Sequence, residues 1–221
     1  MNSLVRVQYG YGLCNPPCLK NFNWTPSLFI RKIPLSVFTS KILYKFLNNV
    51  KPKLSLTLNN IIFNKAIYGD ITKKLPIKDE TVDYLYASHV LEHLPFKEFR
   101  KALKESYRIL KKGGVFRVVV PNFDFFIQEY LDSTSKTKSI DFCLNSSLGS
   151  EYFANILSRM RGSDKHNIMF DYETLENELK NFKFSFIRIA KYNDSSFEIF
   201  KEIEDKDRWI YPENIGFECI K

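Results

Sequence analysis

The stretch that decides the fold is VDYLYASHVLEHLPFKEFRKALKESYRILKKGGVFRVVV, residues 82–120. Val82 to Ala87 is a short run of the apolar and aromatic residues that are typical of a buried strand. Phe96 to Leu110 has apolar residues at helical spacing, and Lys111 to Gly114 supplies the cations and the glycine that commonly end a helix. Val115 to Val120 is a second apolar run. The stretch therefore predicts a strand, a helix and a second strand in succession.

Strands and helices continue to alternate on both sides of this stretch. Further strands are predicted at Leu4–Tyr9, Lys20–Asn23, Ile61–Tyr68, Phe184–Ala190 and Ile215–Ile220, and further helices at Pro34–Val50 and, capped by Asp171, at Tyr172–Asn181. Such alternation predicts an α/β fold: a three-layer sandwich around a Rossmann-like, mostly parallel sheet of about seven strands. Little helix is predicted between the last two strands, so we expect a closing hairpin with an antiparallel last strand.

The composition favours one compact domain. The chain has 221 residues, of which 44% are hydrophobic, enough to bury a sizeable core at this length. No stretch approaches the roughly 18 consecutive apolar residues of a transmembrane segment, and Met1 to Gly12 lacks the regions of a signal peptide, so we expect a cytoplasmic protein. Cys14 and Cys18 lie close together, but no second cysteine pair completes a metal site. No bound metal is therefore predicted.

Positive charge is concentrated in the first third of the chain. Residues 1–69 contain no Asp or Glu, whereas the rest of the chain holds all 25 acidic residues and is nearly neutral. The basic residues of this part are Arg6, Lys20, Arg31, Lys32, Lys41, Lys45, Lys51, Lys53 and Lys65. Two interpretations remain open: a face for an anionic partner, such as a nucleic acid, an anionic membrane or an acidic glycan, or a basic surface that aids solubility.

Small and polar residues follow several of the predicted strands. They are Gly10-Tyr11-Gly12, Asn23, Gly69-Asp70-Ile71, Ser88-His89 and Pro121-Asn122. In open α/β sheets, ligands bind beyond the carboxyl ends of the strands. Glycine lets a ligand approach the backbone closely, a short polar side chain can hold ribose hydroxyls, and Asp70 can accept a hydrogen bond from an exocyclic amine. The strand ends therefore predict a ligand site.

Several motifs, in this order along the chain, resemble one enzyme family. They are Val7–Leu13 (VQYGYGL), Gly69-Asp70-Ile71 with Leu75-Pro76, Asp83–Leu94 (DYLYASHVLEHL), Arg108–Gly114 (RILKKGG) and His166–Leu175. In these motifs the chain is similar to the type-11 branch of class I S-adenosylmethionine-dependent methyltransferases, and within it to predicted methyltransferases often linked with surface-glycan synthesis. The resemblance covers nearly the whole chain. It implies a methyltransferase with S-adenosylmethionine as cofactor and a glycan or another small molecule as acceptor.

The resemblance also implies which residues bind the cofactor. They are Tyr9, Gly10, Tyr11, Gly12, Asn23, Asp70, Ile71, Ser88 and His89. Two of them depart from the family pattern, because Asn23 stands where an acidic residue usually pairs with the ribose hydroxyls, and Tyr11 replaces a small residue. Losing one charged hydrogen bond costs about 1.5–3 kcal/mol, so we expect weakened rather than abolished cofactor binding at Asn23.

The catalytic residue is predicted less directly. A hydroxyl acceptor needs a general base within hydrogen-bond reach, and the candidates are His89, Glu92, His93 and His166. We expect His89 to line the cofactor site, and Glu92 and His93 to have packing or capping roles in a helix after the strand. His166 is the preferred base, because it lies in a segment that should cover the site in this fold.

The domain prediction follows from these assignments. Residues 1–221 form a single methyltransferase domain, with a cofactor-binding half at 1–121, an acceptor-side insertion at 122–165 and a sheet-closing part at 166–221. Two other functions stay open: a degenerate, non-catalytic binding module, motivated by Asn23 and Tyr11, and a methyltransferase associated with nucleic acid or a membrane surface through the basic first third. The sequence leaves the oligomeric state open.

Overall fold

The structure is a computed structural model, and it describes residues 4–10, 19–23, 67–132 and 166–221. The predicted helix at 34–50, most of the predicted insertion at 122–165, most of the basic first third, and Tyr11 and Gly12 of the cofactor prediction lie outside the described residues.

The described strands form one seven-stranded sheet. They are β1 (Arg6–Tyr9), β2 (Lys20–Asn23), β3 (Ile67–Tyr68), β4 (Val82–Ser88), β5 (Leu110–Pro121), β6 (Phe186–Ala190) and β7 (Asn214–Ile220). Their order in the sheet is β3-β2-β1-β4-β5-β7-β6. The strands from β1 to β5 pair in parallel, and β7 runs antiparallel to both β5 and β6. The predicted fold class, including the antiparallel last strand, is confirmed.

Helices cover both faces of this sheet. They are α1 (Phe96–Ile109), α2 (Phe123–Asp132), α3 (Tyr172–Asn181) and α4 (Glu198–Ile203), with short 3₁₀ helices at Leu91–His93 and Lys206–Arg208. On α1 the apolar stripe is buried, including Phe99 and Leu103, while its charged face meets solvent. The predicted cap of α3 is present, because the backbone N–H of Thr174 donates to the Asp171 carboxylate at 2.6 Å. Among the described residues, no helix is long and apolar enough to cross a membrane.

Two elements differ from the prediction. β5 begins at Leu110 instead of Val115, because Gly113 N donates to Lys221 O at 2.8 Å and Lys221 N donates to Gly114 O at 3.0 Å. Gly113 and Gly114, which we predicted to end α1, therefore belong to the sheet. The predicted hairpin between the last two strands is wrong in its connection, because α4 separates β6 from β7. α4 buries its apolar side chains on one face of the sheet, and this burial stabilises a helix with weak sequence periodicity.

Two hydrophobic clusters lie on opposite faces of the sheet. The larger one joins α1 and α3 to the sheet, and the smaller one joins α4 and Trp209 to Tyr86 and Val119. Because each face is covered, the described part of the chain forms the predicted three layers. Gly216 on β7 permits close packing in the smaller cluster, since a Cβ there would lie 2.3 Å from the indole of Trp209.

A buried arginine crosses the smaller cluster. Arg117 on β5 is fully buried, and its guanidinium forms ion pairs with Asp194, Glu204 and Glu218. It also donates to Lys191 O at 2.7 Å and lies 4.6 Å from the ring of Trp209. We call Arg117 and its three carboxylate partners the Arg117 cluster. Its hydrogen bonds join β5 to β7 and to the segment that follows β6.

Candidate active site

The carboxyl ends of the parallel strands meet at one edge of the sheet. Backbone hydrogen bonds of 3.0 Å tie these ends together: Gly10 N donates to Phe22 O, Gly69 N to Asn23 O, and His89 N to Val119 O. The order of the strands reverses between β1 and β4, which is the position where open α/β sheets bind ligands. Of the predicted site residues, the structure therefore brings Gly10, Asn23, Gly69-Asp70 and His89 to one edge.

Gly10 forms the turn at the end of β1. Its φ of 63° lies in the left-handed region, which glycine adopts without strain. A Cβ at this position would lie 2.5 Å from a methyl of Val90, so the backbone after β1 packs directly on the loop after β4. The neighbouring Tyr9 side chain is fully buried, and its hydroxyl accepts a hydrogen bond from Ser106 at 3.2 Å. Only the backbone of Tyr9 can therefore make the predicted contact with the cofactor.

Asp70 follows β3 and is held by local hydrogen bonds. One carboxylate oxygen accepts from the backbone N–H of Thr72 at 3.0 Å and from its hydroxyl at 2.7 Å, and Lys73 lies 3.2 Å from the other. Partial burial raises the pKa of Asp70, but these hydrogen bonds outweigh it and lower the pKa below its ordinary value. The carboxylate is thus ionised and oriented. The adjacent Ile71 side chain is buried in the core.

Arg208, which was not predicted from the sequence, holds the end of β4. Arg208 donates to Ser88 O at 3.2 Å, and its own carbonyl accepts from His89 Nε2 at 2.7 Å. The sequence offered no signal for this contact, because Arg208 lies on a short 3₁₀ helix about 120 residues away. His89 has a φ of 53°, an unusual backbone conformation for a residue other than glycine. Such backbone strain clusters at functional sites.

Glu92 lies at the centre of all three histidines of the chain. Its side chain is 1% exposed, and its carboxylate oxygen Oε1 lies 3.4 Å from His89 Nδ1 and 3.8 Å from His93 Nε2. The rings of His93 and His166 stack edge to face with centroids 4.8 Å apart. We call Glu92 with His89, His93 and His166 the Glu92 cluster. The predicted base, His166, thus joins the strand-end site.

The charge of Glu92 follows from its neighbours. Burial alone raises the pKa of a carboxyl group, but the adjacent His89 and His93 outweigh burial and lower the pKa of Glu92 below its ordinary value. The residue is therefore an ionised carboxylate in a buried position. Leu91–His93 is a single 3₁₀ turn and α1 begins only at Phe96, so Glu92 lies before the helix in which we expected it, and its packing or capping role stays a prediction.

The segment that carries His166 is pinned to the 3₁₀ turn. Asn167 N and Ile168 N donate to Glu92 O at 2.8 and 3.1 Å, and the Asn167 side-chain amide donates to His93 O at 2.6 Å. Two residues later Phe170 bridges to Asn122 at the end of β5. These contacts fix His166 over the end of β4 across more than 70 residues of chain.

The described start of the predicted acceptor-side insertion, α2, has both buried and exposed side chains. Phe126 is buried, whereas Tyr130 and Leu131 are exposed. Asn122, which precedes α2, donates its amide to Pro212 O at 3.0 Å. The helix therefore starts at the same sheet edge as the strand-end residues.

Comparison with known sequences agrees with this arrangement. Residues 37–118 match the family model described as a methyltransferase domain of type 11. Over 82 residues the chain is 37% identical to the ubiquinone/menaquinone biosynthesis C-methyltransferase UbiE of Rickettsia prowazekii, and this match spans 37% of the chain and 32% of the relative. An uncharacterised protein of Methanocaldococcus jannaschii is 47% identical over 55 residues, 25% of this chain and 23% of that protein. The matches thus span about a third or less of the length of these relatives.

Comparison with solved structures concerns the fold. A SAM-dependent methyltransferase of Thermotoga maritima, described as a possible histamine N-methyltransferase, has a TM-score of 0.50 at 17% identity, over 100% of this chain and 84% of its own. A protein of Pyrococcus horikoshii has the same TM-score at 12% identity, over 100% of this chain and 83% of its own. Together with the sheet order, these two structures show that the chain has the class I S-adenosylmethionine-dependent methyltransferase fold, and residues 37–118 are similar to the type-11 methyltransferase domain.

Proposed function

We propose that this protein transfers a methyl group from S-adenosylmethionine to a small-molecule acceptor at the carboxyl edge of its sheet. The observation that carries the proposal is the position of Gly10, Asn23, Asp70 and the Glu92 cluster around the point where the strand order reverses. A ligand bound there meets backbone, an amide and a carboxylate on one side and the histidines on the other.

The residues present suit the cofactor. The turn at Gly10 has no Cβ and lets a ligand approach the backbone. The ionised Asp70 can accept a hydrogen bond from the adenine amine, and Asn23 can accept from and donate to the ribose hydroxyls. When bound, S-adenosylmethionine supplies an electrophilic methyl group on a positively charged sulfur.

The chain's own part in the reaction is positioning and proton removal. Methyl transfer demands that the acceptor atom lies in line behind the methyl group. In the Glu92 cluster, His166 and His93 lie at the same edge as the cofactor residues, half-buried, with ring nitrogens that can accept a proton from an acceptor. We assign His166 as the general base and Glu92 as the carboxylate that stabilises the charge that develops on the histidines.

The acceptor class is inferred from the similar proteins. The name of the Rickettsia relative specifies methyl transfer to carbon in the synthesis of ubiquinone and menaquinone, and the resemblance to methyltransferases linked with surface glycans favours a sugar. A carbon acceptor and a sugar hydroxyl both lose a proton when they are methylated. We propose a small-molecule acceptor of this kind, which a general base can activate.

Calorimetric titration with S-adenosylmethionine, and with its demethylated product, tests the cofactor site. Wild-type protein should bind both at about micromolar concentrations. Asp70→Ala should weaken binding about tenfold to a hundredfold, because it removes one charged hydrogen bond. The matched control is Asp79→Ala, since Asp79 lies before β4 at the opposite edge of the sheet and pairs with Arg108. Absence of binding by the wild type at about millimolar ligand would instead favour a non-catalytic module.

Asn23 allows a second, opposite test. Asn23→Asp restores the charged acceptor that the family pattern has at the end of β2, so affinity for S-adenosylmethionine should rise by up to about tenfold. Weaker binding by this variant would show that the ribose position has been rebuilt around the amide, whereas unchanged binding would remove Asn23 from the proposed set.

A further inference from the structure

The Glu92 cluster has the composition of a metal site. We propose that Glu92, His93 and His166 bind one divalent transition-metal ion of the first row, with Zn²⁺ as the tightest of the probes used below. The sequence analysis predicts no bound metal, because it searched for paired cysteines. The three residues come from two segments of the chain, and only the fold brings them together.

The distances are close to those of a bound ion. One ligand atom from each of the three side chains lies within 4.8 Å of the other two. With metal–ligand bonds of about 2.0–2.2 Å, ligands of one ion lie about 3.0–3.4 Å apart. The present geometry therefore needs a closure of up to about 1.5 Å.

The Glu92 carboxylate lacks a close partner for its buried oxygens. Both carboxylate oxygens of Glu92 are buried, and neither accepts a hydrogen bond from any residue in the described part of the chain. A buried carboxyl group without hydrogen bonds is costly unless it is paired or coordinates a metal. The histidines lie at 3.4 and 3.8 Å, beyond ordinary hydrogen-bond length. A divalent ion between the carboxylate and the imidazoles would supply the missing partner.

The surrounding contacts hold the ligands in place. Asn167 donates to both Glu92 O and His93 O, which ties the segment with His166 to the 3₁₀ turn. His89 turns its Nε2 to the carbonyl of Arg208 and its Nδ1 to the Glu92 carboxylate. Metal-binding carboxylates and imidazoles commonly have such outer partners, which fix their orientation.

The ligand set indicates the ion and its use. Imidazoles favour zinc, iron, cobalt and nickel, and two histidines with one carboxylate are a ligand set that leaves coordination positions open. An acceptor oxygen bound at an open position would lose its proton more readily, as metal-bound water does, and in the metal-bound protein this effect would replace proton removal by His166. Val90 joins the cluster to the Gly10 turn, so the ion would lie beside the cofactor site. This use of the ion, unlike its binding, rests on the proposed methyl transfer.

The test is a titration of tag-free, chelator-treated protein with Co²⁺, followed by visible absorption. Wild-type protein should bind one Co²⁺ per chain, and an excess of Zn²⁺, which imidazole ligands suit, should displace it. His93→Ala and His166→Ala should each weaken binding at least about tenfold. Glu202→Gln, at an exposed position of α4, is the matched control and should bind like the wild type. No Co²⁺ binding by the wild type at about millimolar metal, or unchanged binding in both histidine variants, would overturn the proposal.

The same variants separate this proposal from the proposed function. Binding of S-adenosylmethionine is measured by calorimetry without metal, and Co²⁺ binding is measured without cofactor. Loss of Co²⁺ binding with retained cofactor binding in His166→Ala supports a distinct metal site. Co²⁺ binding by a wild-type protein that does not bind the cofactor leaves the metal site standing and contradicts the methyltransferase proposal.

Discussion

The Arg117 cluster and the Glu92 cluster both bury charge, one on a face of the sheet and one at its edge. Arg117 meets three carboxylates, each of which has further partners: Glu218 also accepts from Ser195 at 2.6 Å, and Glu204 from the backbone of Asn193 at 2.7 Å. Glu92 meets only histidines at longer distances, and its carboxylate oxygens accept no hydrogen bond from the described residues.

This difference indicates that the Arg117 cluster stabilises the fold, whereas the Glu92 cluster has a functional role. A buried charge whose hydrogen bonds are all satisfied joins the elements around it rigidly. A buried carboxylate whose oxygens lack hydrogen-bond donors leaves positions that a ligand, a proton or a metal can complete. The position of the Glu92 cluster at the carboxyl edge, beside the Gly10 turn, agrees with the second role.

The largest effect is expected at Arg117. Arg117→Met keeps the length of the side chain but leaves Glu204 and Glu218 buried without their cation, which should lower the free energy of unfolding by about 3–5 kcal/mol. Urea denaturation followed by circular dichroism measures the change. A loss below about 1 kcal/mol would mean that this cluster does not hold the sheet and that the contrast with Glu92 is wrong.

Substitution of Gly10 tests how tightly the carboxyl edge of the sheet is packed. Gly10→Ala should lower the free energy of unfolding by about 2–3 kcal/mol, because alanine disfavours its positive φ and the new methyl must displace Val90. Gly113 has a φ of 77° but no atom within 4 Å of an added Cβ. Gly113→Ala should therefore cost only about 1 kcal/mol, and equal losses in urea denaturation would contradict the close contact at Gly10.

Glu92 should matter little for stability and much for function. Glu92→Gln should lower the free energy of unfolding by only about 1 kcal/mol while abolishing Co²⁺ binding. Because the pKa of Glu92 is lowered in the folded state from its ordinary 4.5, its ionisation stabilises the fold above that pH. This contribution is lost as the pH falls through the lowered value.

A pH series checks this sign. The stability difference between wild type and Glu92→Gln should be present at about pH 6 and should shrink below about pH 4.5. Urea midpoints of the two proteins measured at descending pH give the answer. A difference that grows in acid would mean that the carboxyl group is neutral in the folded protein, against the assignment of a buried carboxylate.

The smallest effect is expected for an exposed pair. Glu176 and Lys180 lie one turn apart on α3 with a 2.9 Å contact, and both side chains are exposed. Glu176→Gln should lower the free energy of unfolding by about 0.3–0.5 kcal/mol, and added salt should reduce the difference further, because solvent and ions screen such pairs. A loss comparable to that at Arg117 would show that burial does not set the scale.

The sequence by itself determined the elements with strong local patterns. The stripe of α1, the cap of α3 at Asp171 and the apolar runs of β4 and β7 all appear within about two residues of their predicted ends. The strand-end residues of the predicted cofactor site also follow from sequence, because parallel strands place their carboxyl ends at one edge.

Only the tertiary structure decided which charged groups meet. Glu92 and His93 follow β4, whereas His166 comes from a segment more than 70 residues later, and hydrogen bonds from Asn167 bring them together. Arg208 reaches Ser88 from a still more distant turn. Local patterns determine the elements because neighbouring residues set the backbone, but contacts between distant side chains depend on the sheet order and on loop packing, which no local spacing encodes.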